Sequence, residues 1–142
     1  MKILIFLALV CISKTGFAQF TDADLNGTEF YGTATEVTSP DIDRMPVMLN
    51  EIIRFENGKV NSDFLKIYSA DKCFYTAVID DRRMMAFKVV NVQFFSRGII
   101  DGINVNIEFS GNIIGDKRLY GNMTIKYSEN RAENYTISAE LK

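Results

Sequence analysis

Strict alternation of apolar and polar residues is the feature that most constrains the fold of this chain. In Ile103–Phe109, written INVNIEF, every odd-numbered residue is apolar and every even-numbered residue is polar. The same period of two recurs in Leu119–Tyr127 and in Tyr135–Leu141. A period of two places one face of a β-strand in a core and the other face in water, so the sequence predicts half-buried strands.

Turn-forming residues separate these runs and divide the chain into eight predicted strands. Asn57-Gly58 is a strong signal for a tight hairpin, while Arg97-Gly98 and Asp101-Gly102 bracket a further connection. No segment has a convincing helical period. The predicted strands cover residues 28–37, 46–56, 59–68, 73–80, 84–95, 103–114, 117–127 and 133–141.

Eight strands joined by short connections form an antiparallel up-and-down meander. An open meander leaves two strand edges unpaired, and closure into a barrel removes both of them. We therefore expect an all-β, eight-stranded barrel that is lipocalin-like in pattern. A barrel of this size is just wide enough to pack side chains or to hold one small ligand. A β-sandwich is the alternative.

The first residues have the features of a secretory signal peptide. Lys2 supplies a positive charge, and Ile3–Ile12 is an apolar run that is too short to span a membrane. Gly16-Phe17-Ala18 then offers a small-x-small cleavage site. We expect residues 1–18 to be removed and residues 19–142 to form a single β-barrel domain. The exported protein would be periplasmic or extracellular.

Composition argues against several classes of function. Cleavage after Ala18 would remove Lys2 and Lys14 and shift the formal net charge from −2 to −4, so nucleic acid is not an expected partner. The chain contains no histidine, and Cys73 would be the only cysteine left. Without a neighbouring base this thiol lacks the activation that a nucleophile needs. We therefore expect a protein that is not an enzyme and needs no cofactor.

The stretch Asp22–Gly27, DADLNG, is similar to the start of a calcium-binding loop. Asp22, Asp24 and Asn26 would supply oxygen ligands at alternating positions, and a glycine follows. The twelfth position of such a loop is Thr33, which cannot provide the bidentate carboxylate. The three residues are therefore weak metal candidates, and the preferred interpretation is a turn that leads into the first strand.

Three segments in the last two thirds of the chain, together with Tyr68 and Tyr75, match a known pattern. The segments are Phe55–Ser62, Phe109–Gly121 and Tyr135–Lys142. With them the chain resembles a small exported β-barrel family of Bacteroidetes-type bacteria, and no catalytic residues carry over from that family. The pattern is also similar to that of lipocalins, but the tryptophan that lipocalins usually have in the first strand is missing, because the chain has no Trp.

Aromatic and sulfur-containing side chains are numerous enough on the predicted strands to line an apolar pocket. The leading hypothesis is a secreted, non-catalytic barrel that binds a small apolar or amphipathic ligand in its interior. The candidate ligand-binding residues are Phe55, Tyr68, Tyr75, Phe87, Phe109 and Met123.

A solid barrel is the alternative hypothesis, because a packed core is the more common use of such side chains. The protein would then be a protein–protein interaction module of the bacterial envelope. Val89–Phe95 is apolar on both faces, so Val92 and Phe94 are the candidate contacts with a partner. A membrane barrel would show the same alternation, but the aromatic residues do not form two girdles, so we expect a protein that is not embedded in a membrane.

Overall fold

The computed structural model of the protein describes residues 21–38, 43–70, 72–80 and 87–142, so the predicted signal peptide lies outside the described residues. Strands and one short helix follow one another along these ranges. They are β1 (Thr21–Asp22), β2 (Thr28–Glu36), β3 (Met48–Glu56), β4 (Lys59–Ser62), α1 (Asp63–Ile67), β5 (Cys73–Ile79), β6 (Val89–Ile100), β7 (Ile103–Ile114), β8 (Arg118–Ser128) and β9 (Arg131–Leu141).

Strands β2 to β9 form a closed ring. Each of them pairs antiparallel with the next strand in the chain. β9 then pairs with β2, from Phe30–Leu141 to Glu36–Tyr135, and this pairing closes the ring. The structure is therefore an all-β, eight-stranded antiparallel up-and-down barrel, which confirms the predicted fold class over the sandwich. β1 adds a two-residue pairing to the end of β5.

Tight hairpins join strands where the backbone can adopt positive φ angles. Asn57 and Gly58 have φ values of 52° and 73°, and Asp101 and Gly102 have values of 50° and 75°. Two consecutive residues with positive φ match the twist of the flanking strands. The Asn57-Gly58 hairpin lies where it was predicted. Residues 97–98 were expected in a connection but belong to β6, which turns only at Asp101-Gly102.

The apolar face of the alternating strands points into the barrel. In β7, Val105 and Ile107 are buried, while Asn104, Asn106 and Glu108 on the other face are exposed. The same pattern holds along β8 and β9. The polar side chains of these strands therefore form the outer wall.

The largest departure from the predicted strands lies at residues 59–68. Only Lys59–Ser62 is strand, and Asp63–Ile67 is a helix. The Ser62 hydroxyl accepts a hydrogen bond at 3.2 Å from the backbone N–H of Leu65 and so caps the start of the helix. A helix of one turn is too short to show a period of 3.6 in the sequence, so periodicity could not reveal it.

Helix α1 packs across one end of the barrel, against β3, β4 and β6. The Phe64 ring contacts the Tyr135 ring of β9 at a centroid distance of 4.7 Å. The carbonyl of Tyr68, just after the helix, accepts a hydrogen bond at 2.7 Å from the N–H of Ile99 in β6. A Cβ atom on Gly98 would clash with that carbonyl, so this close approach requires glycine.

Candidate binding surface

Five of the six predicted ligand-binding residues point into the barrel. Phe55, Tyr68, Phe109 and Met123 are buried in the core, and Tyr75 is half-buried against it. Tyr68 reaches the interior from the end of α1 and not from a strand, as the prediction had it. The structure therefore brings these five residues together in one apolar cluster.

Phe87 does not belong to this cluster, and its prediction as an interior residue is wrong. Its side chain is 62% exposed and lies beside Gly115, in the turn between β7 and β8. β6 begins at Val89 rather than at residue 84, so the inward and outward alternation does not extend to Phe87.

Aromatic rings pack against one another inside the barrel. The Phe55 ring meets Phe30 and Tyr75 edge to face, at centroid distances of 6.2 Å and 4.8 Å. The Phe94 ring stacks on Phe109 at 4.8 Å. Edge-to-face and stacked pairs at these distances add to the stabilisation from burial alone. Three of the side chains predicted to line a pocket, Phe55, Tyr75 and Phe109, thus contact other aromatic rings in the core.

Two glycines make room for the Phe109 ring. Gly111 on β7 and Gly121 on β8 are register partners, and their inward sides face the tip of that ring. A Cβ atom on either glycine would lie too close to the ring and to the neighbouring backbone. The ring therefore fills the space that two side chains would otherwise occupy.

Glu51 is a carboxyl buried inside the barrel beneath α1. Its side chain is 1% exposed, and its Oε2 atom accepts a hydrogen bond at 2.9 Å from the backbone N–H of Phe64. The Oε1 atom has no hydrogen-bond partner within the described ranges. Burial, the largest cause, raises the pKa of Glu51 from 4.5 to about 7, and the charge of Asp63 adds to the increase.

Other titratable side chains near this end of the barrel are held in their neutral form. Burial raises the pKa of Tyr68 and of Tyr135 to about 12, and it raises the pKa of Tyr127 as well. Tyr127 and Tyr135 both donate hydrogen bonds to Glu133, at 3.1 Å and 3.3 Å. Burial also raises the pKa of the Cys73 thiol. These hydroxyls and the thiol are therefore uncharged at neutral pH.

The DADLNG stretch forms a turn. Asp24 Oδ1 accepts a hydrogen bond at 2.9 Å from the N–H of Asn26, and Asn26 Oδ1 accepts one at 2.9 Å from the N–H of Gly58. β2 then begins at Thr28. A turn therefore leads into the first long strand, as the sequence predicts, and two of the three candidate metal ligands, Asp24 and Asn26, accept hydrogen bonds in it. In the described ranges there is no group of three or more His, Cys, Asp or Glu residues that could hold a metal ion.

Val92 and Phe94 are core residues and do not present their side chains on the surface. Both side chains are buried in the core, so their prediction as contact residues is wrong. Phe94 is the register partner of Tyr75 and shares its inward face. Its neighbours Gln93 and Phe95 point outward.

An open groove lies on the outer face of β5, β6, β7 and β8. Its volume is about 780 Å³, and its apolar end is formed by Phe74 and Phe95. These residues flank the register pair of β5 and β6 and point outward, with exposed fractions of 72% and 47%. The Lys59 ammonium lies 5.0 Å from the centroid of the Phe74 ring. Two exposed rings side by side form a small apolar patch.

The groove continues into a polar region on β6, β7, β8 and β9. This second region has a volume of about 660 Å³ and shares Gln93, Ser110 and Asn122 with the first. We call the two regions together the outer groove. Its defining side chains are Phe74, Thr76, Gln93, Phe95, Ser110 and Asn122.

Sequence reasoning missed the outward direction of Phe74 and Phe95. The signal that could have found them is parity, since each directly neighbours an inward-facing aromatic residue, Tyr75 or Phe94. In Val89–Phe95, however, apolar residues occupy both parities, so the sequence of that strand alone does not say which set faces the core.

Comparison of the chain with protein-family models, with curated proteins and with solved structures found no match. The resemblance to an exported family therefore stays a prediction. Among the described residues, no helix has the length and apolar character needed to cross a membrane.

Proposed function

We propose that the protein is an exported, non-catalytic interaction module of the bacterial envelope, and that the outer groove is its binding surface. The observation that carries this proposal is the pair of exposed rings, Phe74 and Phe95, at the end of an open groove. Covering one such side chain is worth about 1.5–3 kcal/mol. A partner that covers both rings would therefore gain a substantial part of a micromolar binding free energy.

The interior is a weaker candidate for the binding site. The residues that would line an internal pocket are in contact with each other, as the Phe94–Phe109 and Phe55–Tyr75 ring pairs illustrate. A ligand that lay between these rings would have to displace their contacts, which would cost the free energy of opening a packed core. The outer groove requires no such displacement.

Export is supported by the leader-like residues 1–18 alone, through their charge, apolar run and cleavage site. The absence of histidine and the protonated state of the half-buried Cys73 thiol are in keeping with a binding role. The module would then work by surface contact, with the barrel as a rigid support for the groove.

The test is a binding assay with isolated cell envelopes, measured by co-sedimentation of the purified mature protein. We expect the double variant Phe74→Ser/Phe95→Ser to bind about 100-fold more weakly, which corresponds to the loss of roughly 3 kcal/mol of apolar contact. Both rings point away from the core, so the variant should fold normally.

The matched control is Ile99→Ser/Ile103→Ser. These two side chains are also exposed and apolar, and they lie at the far end of the β6–β7 hairpin, away from the groove. The control should bind like the wild type. Equal loss in both double variants, or no loss in the groove variant, would contradict the assignment of the outer groove as the binding surface.

A further inference from the structure

The outer groove is lined by uncharged hydrogen-bonding side chains in two rows that cross the strands. One row follows register partners from β5 to β9, and β9 in turn pairs with β2. The second row is offset from the first by two residues along each strand. The first row is Thr76, Gln93, Ser110, Asn122 and Thr136, and its register continues past the groove to Thr35. The second row is Asn91, Asn112, Tyr120 and Ser138, and its register continues past the groove to Thr33 on β2 and Asn50 on β3.

We infer that the outer groove binds a neutral oligosaccharide chain, which would lie across the strands along these two rows. This inference rests on the proposed function, because it uses the same groove and names the chemical class of its ligand. It goes further in assigning the polar side chains, and not only the two phenylalanines, to recognition.

The polar groups of the rows are free to bind a ligand. Within the described part of the chain, no protein group forms a hydrogen bond with the side chains of Asn91, Gln93, Ser110, Asn112, Asn122 or Ser138. Each amide supplies both donors and an acceptor, and each hydroxyl can donate and accept. A sugar hydroxyl can likewise donate and accept a hydrogen bond. It can therefore pair with an amide or a hydroxyl of the rows, as donor or as acceptor.

The spacing and the apolar end fit the same ligand. Neighbouring strands lie about 4.8 Å apart, so the members of a row repeat at nearly the spacing of pyranose rings in a sugar chain. A pyranose ring has hydroxyls at its rim and C–H groups on its faces. Phe74 and Phe95 in the groove, and Tyr120 in the second row, present aromatic surface on which such a face can pack.

The charges around the groove argue for a neutral ligand. Glu108 lines the groove, and both of its carboxylate oxygens lie 2.9 Å from the Lys126 ammonium, so its charge is paired. The other lining residues are uncharged. A site for an anionic polymer would present arginine or lysine side chains along its length, because paired charges are the main source of affinity for such ligands.

The first test is a titration of the mature protein with a panel of neutral hexasaccharides built from glucose, mannose, galactose, xylose or N-acetylglucosamine. We expect saturable binding of at least one member. The double variant Gln93→Ala/Asn122→Ala should weaken that binding by about tenfold or more, because two amides lose their hydrogen bonds to the ligand. Both side chains are exposed, so the variant should keep its stability.

The matched control is Asn104→Ala/Asn106→Ala. These two amides also point outward from β7, but they lie beyond the groove. The control should bind the same sugar as tightly as the wild type. Absence of binding to every neutral member, or tighter binding of an oligogalacturonate of equal length, would overturn the inference.

A second test separates the inference from the proposed function. Envelopes are oxidised with periodate, which cleaves the vicinal diols of sugars, or digested with protease before the co-sedimentation assay. Loss of binding after periodate and retention after protease is the expected result. The reverse result, with binding that still depends on Phe74 and Phe95, would leave the groove as a binding surface but identify a protein partner and overturn the sugar ligand.

Discussion

At the scale of single residues, the buried carboxyl of Glu51 links the stability of the barrel to pH. Its folded pKa of about 7 lies above the ordinary value of 4.5, so the folded protein binds this proton more tightly than the unfolded chain does. The Glu51 carboxyl therefore contributes its full stabilisation below pH 4.5, and this stabilisation is lost as the pH rises to about 7. The difference is on the order of 3 kcal/mol, at 1.4 kcal/mol for each pKa unit.

The substitution Glu51→Gln should remove this pH dependence. Glutamine keeps the shape of the protonated acid and can still accept the hydrogen bond from the N–H of Phe64. We expect the variant to match the wild type near pH 5 and to exceed its free energy of unfolding near pH 8. Urea denaturation at both pH values measures this, and an equal pH dependence in the two proteins would contradict it.

Below pH 4.5, the pH dependence of stability from Glu51 would be combined with an opposite pH dependence from Glu36. The Arg44 guanidinium forms an ion pair with the Glu36 carboxylate, and the N–H of Val47 donates a hydrogen bond to the same carboxylate. Together they lower the pKa of Glu36 to about 2. A lowered pKa gives stability that is present above pH 4.5 and is lost as the pH falls towards 2. The two carboxyls therefore act in separate pH windows, and the comparison of pH 5 with pH 8 isolates Glu51.

At the scale of elements, α1 is held to the barrel by a backbone contact that only glycine permits. The substitution Gly98→Ala would place a methyl group against the Tyr68 carbonyl and disturb its hydrogen bond with Ile99. We expect a loss of about 1–3 kcal/mol in the free energy of unfolding, which is typical of overpacking. The control Arg97→Ala, at an exposed position of the same strand, should change it by less than about 0.5 kcal/mol.

Equal denaturation midpoints for these two variants would show that α1 does not depend on this contact.

Gly98 also shows why a local sequence pattern can misplace a glycine. Arg97-Gly98 was predicted to lie in a connection, because glycine commonly marks turns. In the structure it lies within β6, where the reason for glycine is the approach of another segment and not a turn. Such a reason depends on tertiary packing, which a local pattern cannot express.

At the scale of the whole molecule, the fold was predictable and the site was not. Alternation in β7, β8 and β9 identified strands with one buried face, and the need to pair their edges led to a closed barrel. The outer groove depends on which face of β6 points outward. The apolar residues of β6 occupy both odd and even positions. Only its register with β5 and β7 therefore decides which of them point outward.

Because Phe94 points inward and Phe95 outward, we expect their substitutions to lower the free energy of unfolding by very different amounts. Phe94→Ala should lower the free energy of unfolding by about 3–5 kcal/mol, because it removes a core ring that stacks on Phe109. Phe95→Ala should lower it by only about 1 kcal/mol, because about half of that ring is exposed on the outer face. Chemical denaturation of both variants checks the assignment, and a large loss at Phe95 would contradict it.

Sugar binding in the outer groove can be tested by a nuclear magnetic resonance titration of the mature protein with the soluble polysaccharide fraction of its own envelope. Side-chain amide signals of Gln93 and Asn122 report on the outer groove, and the Met123 methyl signal reports on the interior. We expect the two amide signals to shift and the methyl signal to stay unchanged. A shift of the Met123 methyl signal with unchanged amide signals would instead place the ligand inside the barrel and rule out the outer groove as its binding site.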